Sequence, residues 1–257
     1  MLINLLAVGD VVAAAGLNCL KTILPKLKQE KKIDFCVVNG ENTAILGLLP
    51  RQAEEIFDAG ADVITMGNHT WGKRELVPYM HTKGILRPAN LPPQQPGMGW
   101  DVFETQFGQV AVIDLIGRCA MDYTPDNAFL LVEKILPKLR TKLIFVELHA
   151  EATSEKLAMG WMLDGRVSAV WGTQTHVQTA DERILPGGTG YLTDLGMTGP
   201  RDSVLGIKPE LSIQKFRGDL TRRYEPAPGP CKLEGCIFTI YTHSGRCTAA
   251  ERVSLHD

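Results

Sequence analysis

Ala61-Asp62-Val63-Ile64-Thr65-Met66-Gly67-Asn68-His69-Thr70 is the stretch that decides the fold. Val63–Met66 has the composition of a buried strand. It stops at Gly67 and delivers an Asn-His pair to the strand's carboxyl end, the edge at which open α/β sheets bind ligands. An amide oxygen can ligate a borderline cation, and a neighbouring imidazole can pass a proton. A turn with a polar tip is the commoner meaning of Gly-Asn-His alone. The reading changes because other strand ends in the chain carry the same kind of residue.

Those strands alternate with helix-like segments. Apolar runs predict strands at Leu2–Val8, Phe35–Val38, Val63–Met66, Val110–Leu115, Leu143–Leu148, Ala169–Trp171 and Tyr191–Thr193. Helical spacing predicts helices at about Leu17–Lys31, Pro50–Ala59, Lys73–Met80, Phe129–Leu139, Ser154–Leu163 and Pro209–Phe216. Pro25 should kink or shorten the first. Leu91–Gly99, rich in proline, is a loop expected to cross the surface near the site. Cys236–Tyr241 and Thr248–Val253 read as a terminal antiparallel pair. The 257 residues, 44% hydrophobic and 22% charged, suit one α/β domain over 1–257 with helices on the outer faces of a sandwich.

Charge and cysteine usage narrow the function. Formal net charge is −2, and the 27 basic residues are dispersed, so no footprint for duplex nucleic acid or an anionic membrane is present. No apolar run reaches the length that spans a bilayer. The short apolar start runs directly into Gly9-Asp10 and is read as a core strand rather than a signal peptide. The 6 cysteines are scattered without Cys-x-x-Cys pairing, which implies free thiols and a cytoplasmic location.

The strand ends form a set. The first ends in Gly9-Asp10, where a helix-capping aspartate is the plain alternative. The second ends in Asn39-Gly40-Glu41-Asn42, with two oxygen donors side by side. The third gives Asn68-His69. The fifth ends in Glu147-Leu148-His149-Ala150-Glu151, where period-2 alternation puts Glu147, His149 and Glu151 on one side if the strand persists. The sixth ends in Gly172-Thr173-Gln174-Thr175-His176. Together they offer Asp, Glu, Asn, Asn, His and His, a set suited to two divalent or mixed-valence ions, Fe or Mn, with Zn possible.

The order Gly-Asp, Gly-Glu-Asn, Gly-Asn-His, a later His and Gly-Thr-x-Thr-His resembles the calcineurin-like metallophosphoesterases. Longer matches are Ile64–Trp71, His149–Lys156, Thr179-Ala180-Asp181 and Asp194–Pro200. They place the resemblance with the bacterial YmdB-like branch, from residue 1 to about residue 253. It implies a metallophosphoesterase-type α/β sandwich and hydrolysis of phosphodiesters, notably 2′,3′-cyclic nucleotides, by water activated at two metal ions. Asp10, Asn42 and His176 would hold one ion, Asn68 and His149 the other, and Glu41 would bridge them. His69 would act as general acid on the leaving oxygen. Imidazole titrates near neutrality, which suits that role. The resemblance also implies a homo-oligomer.

Three departures stand out. The last motif of the family has a histidine where this chain has Gln174, a poorer donor for Mn or Fe, so the second site is expected to be weak. A Gly-x-Pro-Gly-Arg run becomes Ala13-Ala14-Ala15-Gly16-Leu17, which removes an arginine as a phosphate contact. A glycine-rich loop becomes the apolar Ile45-Leu46-Gly47-Leu48-Leu49. Arg87 is a candidate substrate contact or a structural ion pair. Glu151, Thr153, Asp181 and Asp194 are candidates to orient ligands, whereas His81, His243 and His256 are ordinary surface histidines. Two rival functions follow: a regulatory or binding protein that has lost turnover, and a phosphomonoesterase or protein phosphatase.

Overall fold

The computed structural model describes residues 1–81, 84–121, 124–220 and 223–256. Five strands come first: β1 (Leu2–Val8), β2 (Asp10–Val11), β3 (Phe35–Asn39), β4 (Val63–Thr65) and β5 (Ile85–Leu86). They enter one sheet, and β6 (Trp100–Thr105), β7 (Gly108–Ile116), β8 (Leu143–His149), β9 (Ala169–Thr173), β10 (Arg183–Ile184) and β11 (Gly190–Leu192) build a second. The chain then returns to the first through β12 (Met197–Pro200), β13 (Cys231–Tyr241) and β14 (Cys247–His256). The first sheet runs β2-β12-β13-β1-β3-β4-β5 with β14 on β13, and the second runs β10-β11-β9-β8-β7-β6. β1, β3, β4 and β5 are parallel, as are β7, β8, β9 and β11.

Helices α1 (Ala13–Glu30) and α2 (Pro50–Asp58) cover the first sheet, and α3 (Ala128–Ile135) and α4 (Thr153–Leu163) the second. A fifth, α5 (Pro209–Phe216), precedes β13. Strand parity explains the layers, since alternate side chains face opposite ways. Leu5 and Ala7 of β1, Phe35 and Val37 of β3, Val110 and Val112 of β7, and Leu143 and Phe145 of β8 share the layer between the sheets. Leu6, Val8, Cys36 and Val38 face Leu17, Leu20, Leu24 and Leu27 of α1. Ala111, Ile113, Ile144 and Val146 face Val132, Met159 and Leu163. Trp171 stacks on Phe238 at 5.9 Å in the central layer. Burying an aromatic such as Phe145 contributes about 1.5–3 kcal/mol.

The same parity carried to the strands' carboxyl ends turns this layer polar. Val37 gives way to Asn39, Val63 to Thr65, Val112 to Asp114, Phe145 to Glu147 and His149, and Trp171 to Thr173. All six polar residues are buried. The apolar filling thus ends where the two parallel edges meet, and a polar site begins there.

Several expectations need correcting. α1 starts at Ala13 and continues through Pro25, because Leu20, Ile23, Leu24 and Leu27 are held against the sheet on both sides of the proline. Arg74–Tyr79 is a 3-10 helix containing Pro78, not an α-helix. β8 ends at His149, so Glu151 does not share its face and is exposed. Strand β6 lies where no strand was expected, its exposed edge position leaving little apolar patterning to read. Among the described residues, no helix is long and apolar enough to cross a membrane.

Candidate metal centre

Asp10, Glu41, Asn42 and Asn68 come from the first sheet, and His149 and His176 from the second. One ligand-type atom each from Asp10, Glu41 and His149 lies within 4.8 Å of the others. Glycines make this approach possible. A Cβ on Gly67 would overlap Glu41 Oε2 and the His149 ring, and one on Gly9 would overlap the Gly196 carbonyl.

Two pairs of acceptors face each other across the seam. His176 Nδ1 donates to the Leu205 carbonyl at 3.1 Å, and its Nε2 accepts from Asn42 Nδ2 at 3.1 Å. That Nε2 therefore presents no proton to Asp10 Oδ1, 3.8 Å away. Asp10 Oδ1 is buried with no hydrogen-bond partner, while Oδ2 accepts from the Gln174 amide at 3.2 Å. A buried carboxylate oxygen without a donor is costly and calls for a cation.

The second pair is His149 Nε2 and Asn68 Oδ1, 2.9 Å apart, with Glu41 Oε1 3.2 Å from the same nitrogen. The tautomer of His149 is set from behind. Glu147 accepts from Asn39 Nδ2 (2.7 Å), Thr65 Oγ1 (2.7 Å), Thr173 Oγ1 (2.8 Å) and Trp171 Nε1 (3.1 Å). Four donors leave no room for a carboxyl proton. Thr173 spends its own proton on Glu147, so it accepts from His149 Nδ1 at 2.9 Å. Nε2 is the nitrogen left to face the cluster.

Electrostatics agree with a cation-seeking site. Burial raises the Asp10 carboxyl above its usual range, against the opposing charges of His176 and His149. Burial also acts on Glu41, but the His149 charge and hydrogen bonds from His149 and His69 outweigh it and hold that carboxyl well below its usual range. Burial alone would lower His149, yet Glu41 and then Asp10 outweigh it and raise the imidazole to about 9. Without metal, a proton on His149 Nε2 is thus the positive charge of the cluster. Divalent ions would fit the same acceptors better, because each can take several of these oxygens and nitrogens at once, and Asp10, Glu41 and His149 already stand close enough to share one. The residues fit the group.

His69 sits at the rim with a side chain 32% exposed. Its amide donates to Glu41 Oε2 at 3.1 Å. Nδ1 lies 3.2 Å from Glu41 Oε1 and 3.1 Å from Asn42 Oδ1. Both are acceptors, so Nδ1 carries a proton, and Nε2, 3.2 Å from Asn68 Nδ2, accepts from that amide, whose oxygen faces His149.

Residues 6–253 match the protein family described as YmdB-like protein. The chain belongs to the YmdB-like family. It is 43% identical to the 2′,3′-cyclic-nucleotide 2′-phosphodiesterase of Bacillus subtilis (strain 168), over 99% of this chain and 97% of that one. It superposes with TM-score 0.93 and 34% identity on a novel phosphatase of Mycoplasma pneumoniae, covering 100% and 94% of the two chains. A hypothetical protein from Thermus thermophilus gives TM-score 0.92 at 34% identity over 99% and 100%. The sandwich is of the calcineurin-like metallophosphoesterase type.

The remaining expected residues of this YmdB-like chain fall outside the cluster. Arg87 is 5% exposed, and its guanidinium donates to the carbonyls of Pro88, Gln95 and Pro96 at 2.9–3.3 Å. It fastens the 91–99 loop and does not face the cluster. Gln174 brings its backbone to Asp10, but its side chain makes no hydrogen bond among the described residues. Asp194 accepts from buried Lys156 at 2.5 Å, from the Thr175 amide and from the Gly196 amide, so it pins the turn that carries His176. Asp181 binds Thr179 and Thr193. Glu151, Thr153, His81, His243 and His256 are exposed. Asn39, Thr65 and Thr173 were missed as supports of Glu147. Their inward parity was readable, but nothing local said that a carboxylate waits across the seam from Asn39 and Thr65 and on the neighbouring strand from Thr173. Leu17, expected to stand where an arginine would contact phosphate, is 4% exposed and packs with Leu20 and Leu24 against the first sheet.

Proposed function

We propose that this chain is a single-domain, metal-dependent phosphodiesterase that opens 2′,3′-cyclic nucleotides. The observation that carries the reading is the pair of converging acceptor sets, above all buried Asp10 Oδ1 without a donor. Membership of the YmdB-like family and the name of the Bacillus subtilis relative support the substrate class. Asp10, Asn42 and His176 would hold one ion, Asn68 and His149 the other, with Glu41 shared. Fe or Mn suits this nitrogen and oxygen set, and Zn is compatible. When bound, the ions would supply positive charge that makes water more acidic and offsets charge on the phosphoryl oxygens.

The chain's own groups do the rest. Glu147, through Thr173, keeps His149 Nε2 turned inward. Asn42 and Leu205 fix the His176 ring. His69 holds its Nδ1 proton toward Glu41 and Asn42, so Nε2 is the nitrogen that would carry the transferable proton, once it gives up the hydrogen bond it accepts from Asn68 Nδ2. As the oxygen of water bonds to phosphorus, the P–O2′ bond breaks and the ribose 2′ oxygen takes a proton from His69 Nε2, while the proton shed by the water passes to solvent, from which His69 is reprotonated. The product is a nucleoside 3′-phosphate with a free 2′ hydroxyl. Free cysteines, five of the six buried, support a reducing compartment such as the cytoplasm.

One observation favours a second reading. The Gln174 side chain makes no hydrogen bond to the cluster among the described residues, as expected of a regulatory or binding protein with a weakened second site. The discriminating assay sets bis-p-nitrophenyl phosphate against p-nitrophenyl phosphate with added Mn. Preferred diester turnover that falls about 10²–10⁴-fold in His69→Ala is expected. Absence of turnover in the native chain, restored by Gln174→His, would establish the weakened protein instead.

A further inference from the structure

Protonation of the leaving oxygen by His69 fixes where the rest of a cyclic nucleotide must lie. In-line displacement puts the departing 2′ oxygen on the acid's side of phosphorus. The ribose and its base remain attached to that oxygen, so they extend past His69.

The chain leaving His69 turns at once. The Gly72 amide donates to the His69 carbonyl at 2.8 Å, and Thr70 is tucked in with its hydroxyl on Gly67. Trp71 at this turn is only partly buried. It lines a cleft of about 510 Å³ with Arg74, Val77, Pro78, Gln95 and Pro96. This volume lies within the range of small-molecule sites.

The far wall of the cleft is built. Arg87, buried and charged, holds the Gln95 and Pro96 carbonyls, and the Gln95 amide bonds Pro92. Gln95 Oε1 then accepts from Trp71 Nε1 at 3.2 Å, which ties the wall to the turn after His69. The Gln95 side-chain nitrogen and the exposed Arg74 guanidinium are left without partners among the described residues. The lining is therefore an aromatic face, flat apolar walls and two donors, which is the chemistry that receives a nucleobase by stacking and edge contacts.

We propose that this cleft is the base-binding subsite, with Trp71 as the stacking surface and Gln95 and Arg74 as donors to the base edge. The proposal rests on the cyclic-nucleotide reading above and adds where selectivity among diesters arises.

The experiment compares 2′,3′-cyclic AMP with a base-free analogue, the 2,3-cyclic phosphate of methyl riboside, in the Mn-loaded protein. In Trp71→Ala the ratio of kcat/KM for the nucleotide over the base-free ester should fall about tenfold or more. Trp71→Phe should retain most of it. Val77→Tyr, which fills the cleft from the other side, should lower the same ratio and serves if Trp71→Ala does not fold. A ratio unchanged in folded Trp71→Ala and Val77→Tyr overturns the subsite while leaving the diesterase reading intact. If the native protein hydrolyses neither ester, the diesterase reading itself fails.

Discussion

Loading the chelated protein with Mn should release a proton, and the structure sets how many and over what pH. His149 Nε2 faces Asn68 Oδ1 and Glu41 Oε1, and its imidazole is raised to about 9. At pH 7.5 the ring is therefore protonated in the metal-free protein, and an ion that takes Nε2 must expel about one proton per chain. Apparent affinity should rise by about tenfold per pH unit from pH 7 and level off above pH 9. The stability of the chelated protein follows the same group. A pKa raised from 6.5 gives a contribution fully present below pH 6.5 and lost as pH rises through 9. The loss amounts to about 3 kcal/mol for a fully buried ring. At this chain length each kcal/mol moves Tm by roughly 2–4 °C. The assay is titration calorimetry of Mn in two buffers of different ionisation enthalpy, with melting curves of the chelated protein from pH 6 to 10. Buffer-independent heats at pH 7.5 would refute the reasoning. So would a chelated protein whose alkaline loss of Tm is no larger than that of His149→Gln.

Three further outcomes follow from packing at the site. Gly67→Ala places a methyl where Glu41 Oε2 and the His149 ring now sit, so metal affinity should fall at least tenfold with circular dichroism unchanged; native retention of metal in elemental analysis would contradict it. Glu147→Gln presents an amide N–H to groups that are all donors, leaving at least one buried donor unpaired at about 1–3 kcal/mol, read as a lower urea midpoint. Ile45 is β-branched at φ +68, a conformation costing about 1–3 kcal/mol. Ile45→Gly relieves that cost but gives up the Ile45 packing on Val12, Ala13 and Met197 and adds glycine's own roughly 0.5–1 kcal/mol, so Tm should stay within a few degrees of the native value; a fall well beyond that would show the loop is not strained.

Much of this was legible along the chain. The strands at 2–8, 63–65 and 143–149 announce themselves by apolar runs buried on both faces, and the residues that follow them, Asp10, Asn68 and His149, do meet. What local sequence could not convey is contact across the sheets and between neighbouring strands. Glu147 reads as a member of the same face as His149, but its four donors come from β3, β4 and β9. Arg87 lies in a motif and looks available, yet its partners are backbone carbonyls of a loop with no residue signature for them. Helix α1 begins at Ala13 because tertiary packing of Val12 and Ala13 on Met197 and Ile45 overrides the break that the local pattern suggests. The 3-10 segment at 74–79 reflects Pro78, which removes an amide that an α-helix would use.

Because the acceptors arrive from two separate sheets, neither layer owns the centre. Cations seated between Asp10 and Glu41 of one sheet and His149 and His176 of the other would be rivets through the seam. Peeling the layers apart would first require their dissociation, so the lifetime of the loaded protein against denaturation would inherit the ions' residence time.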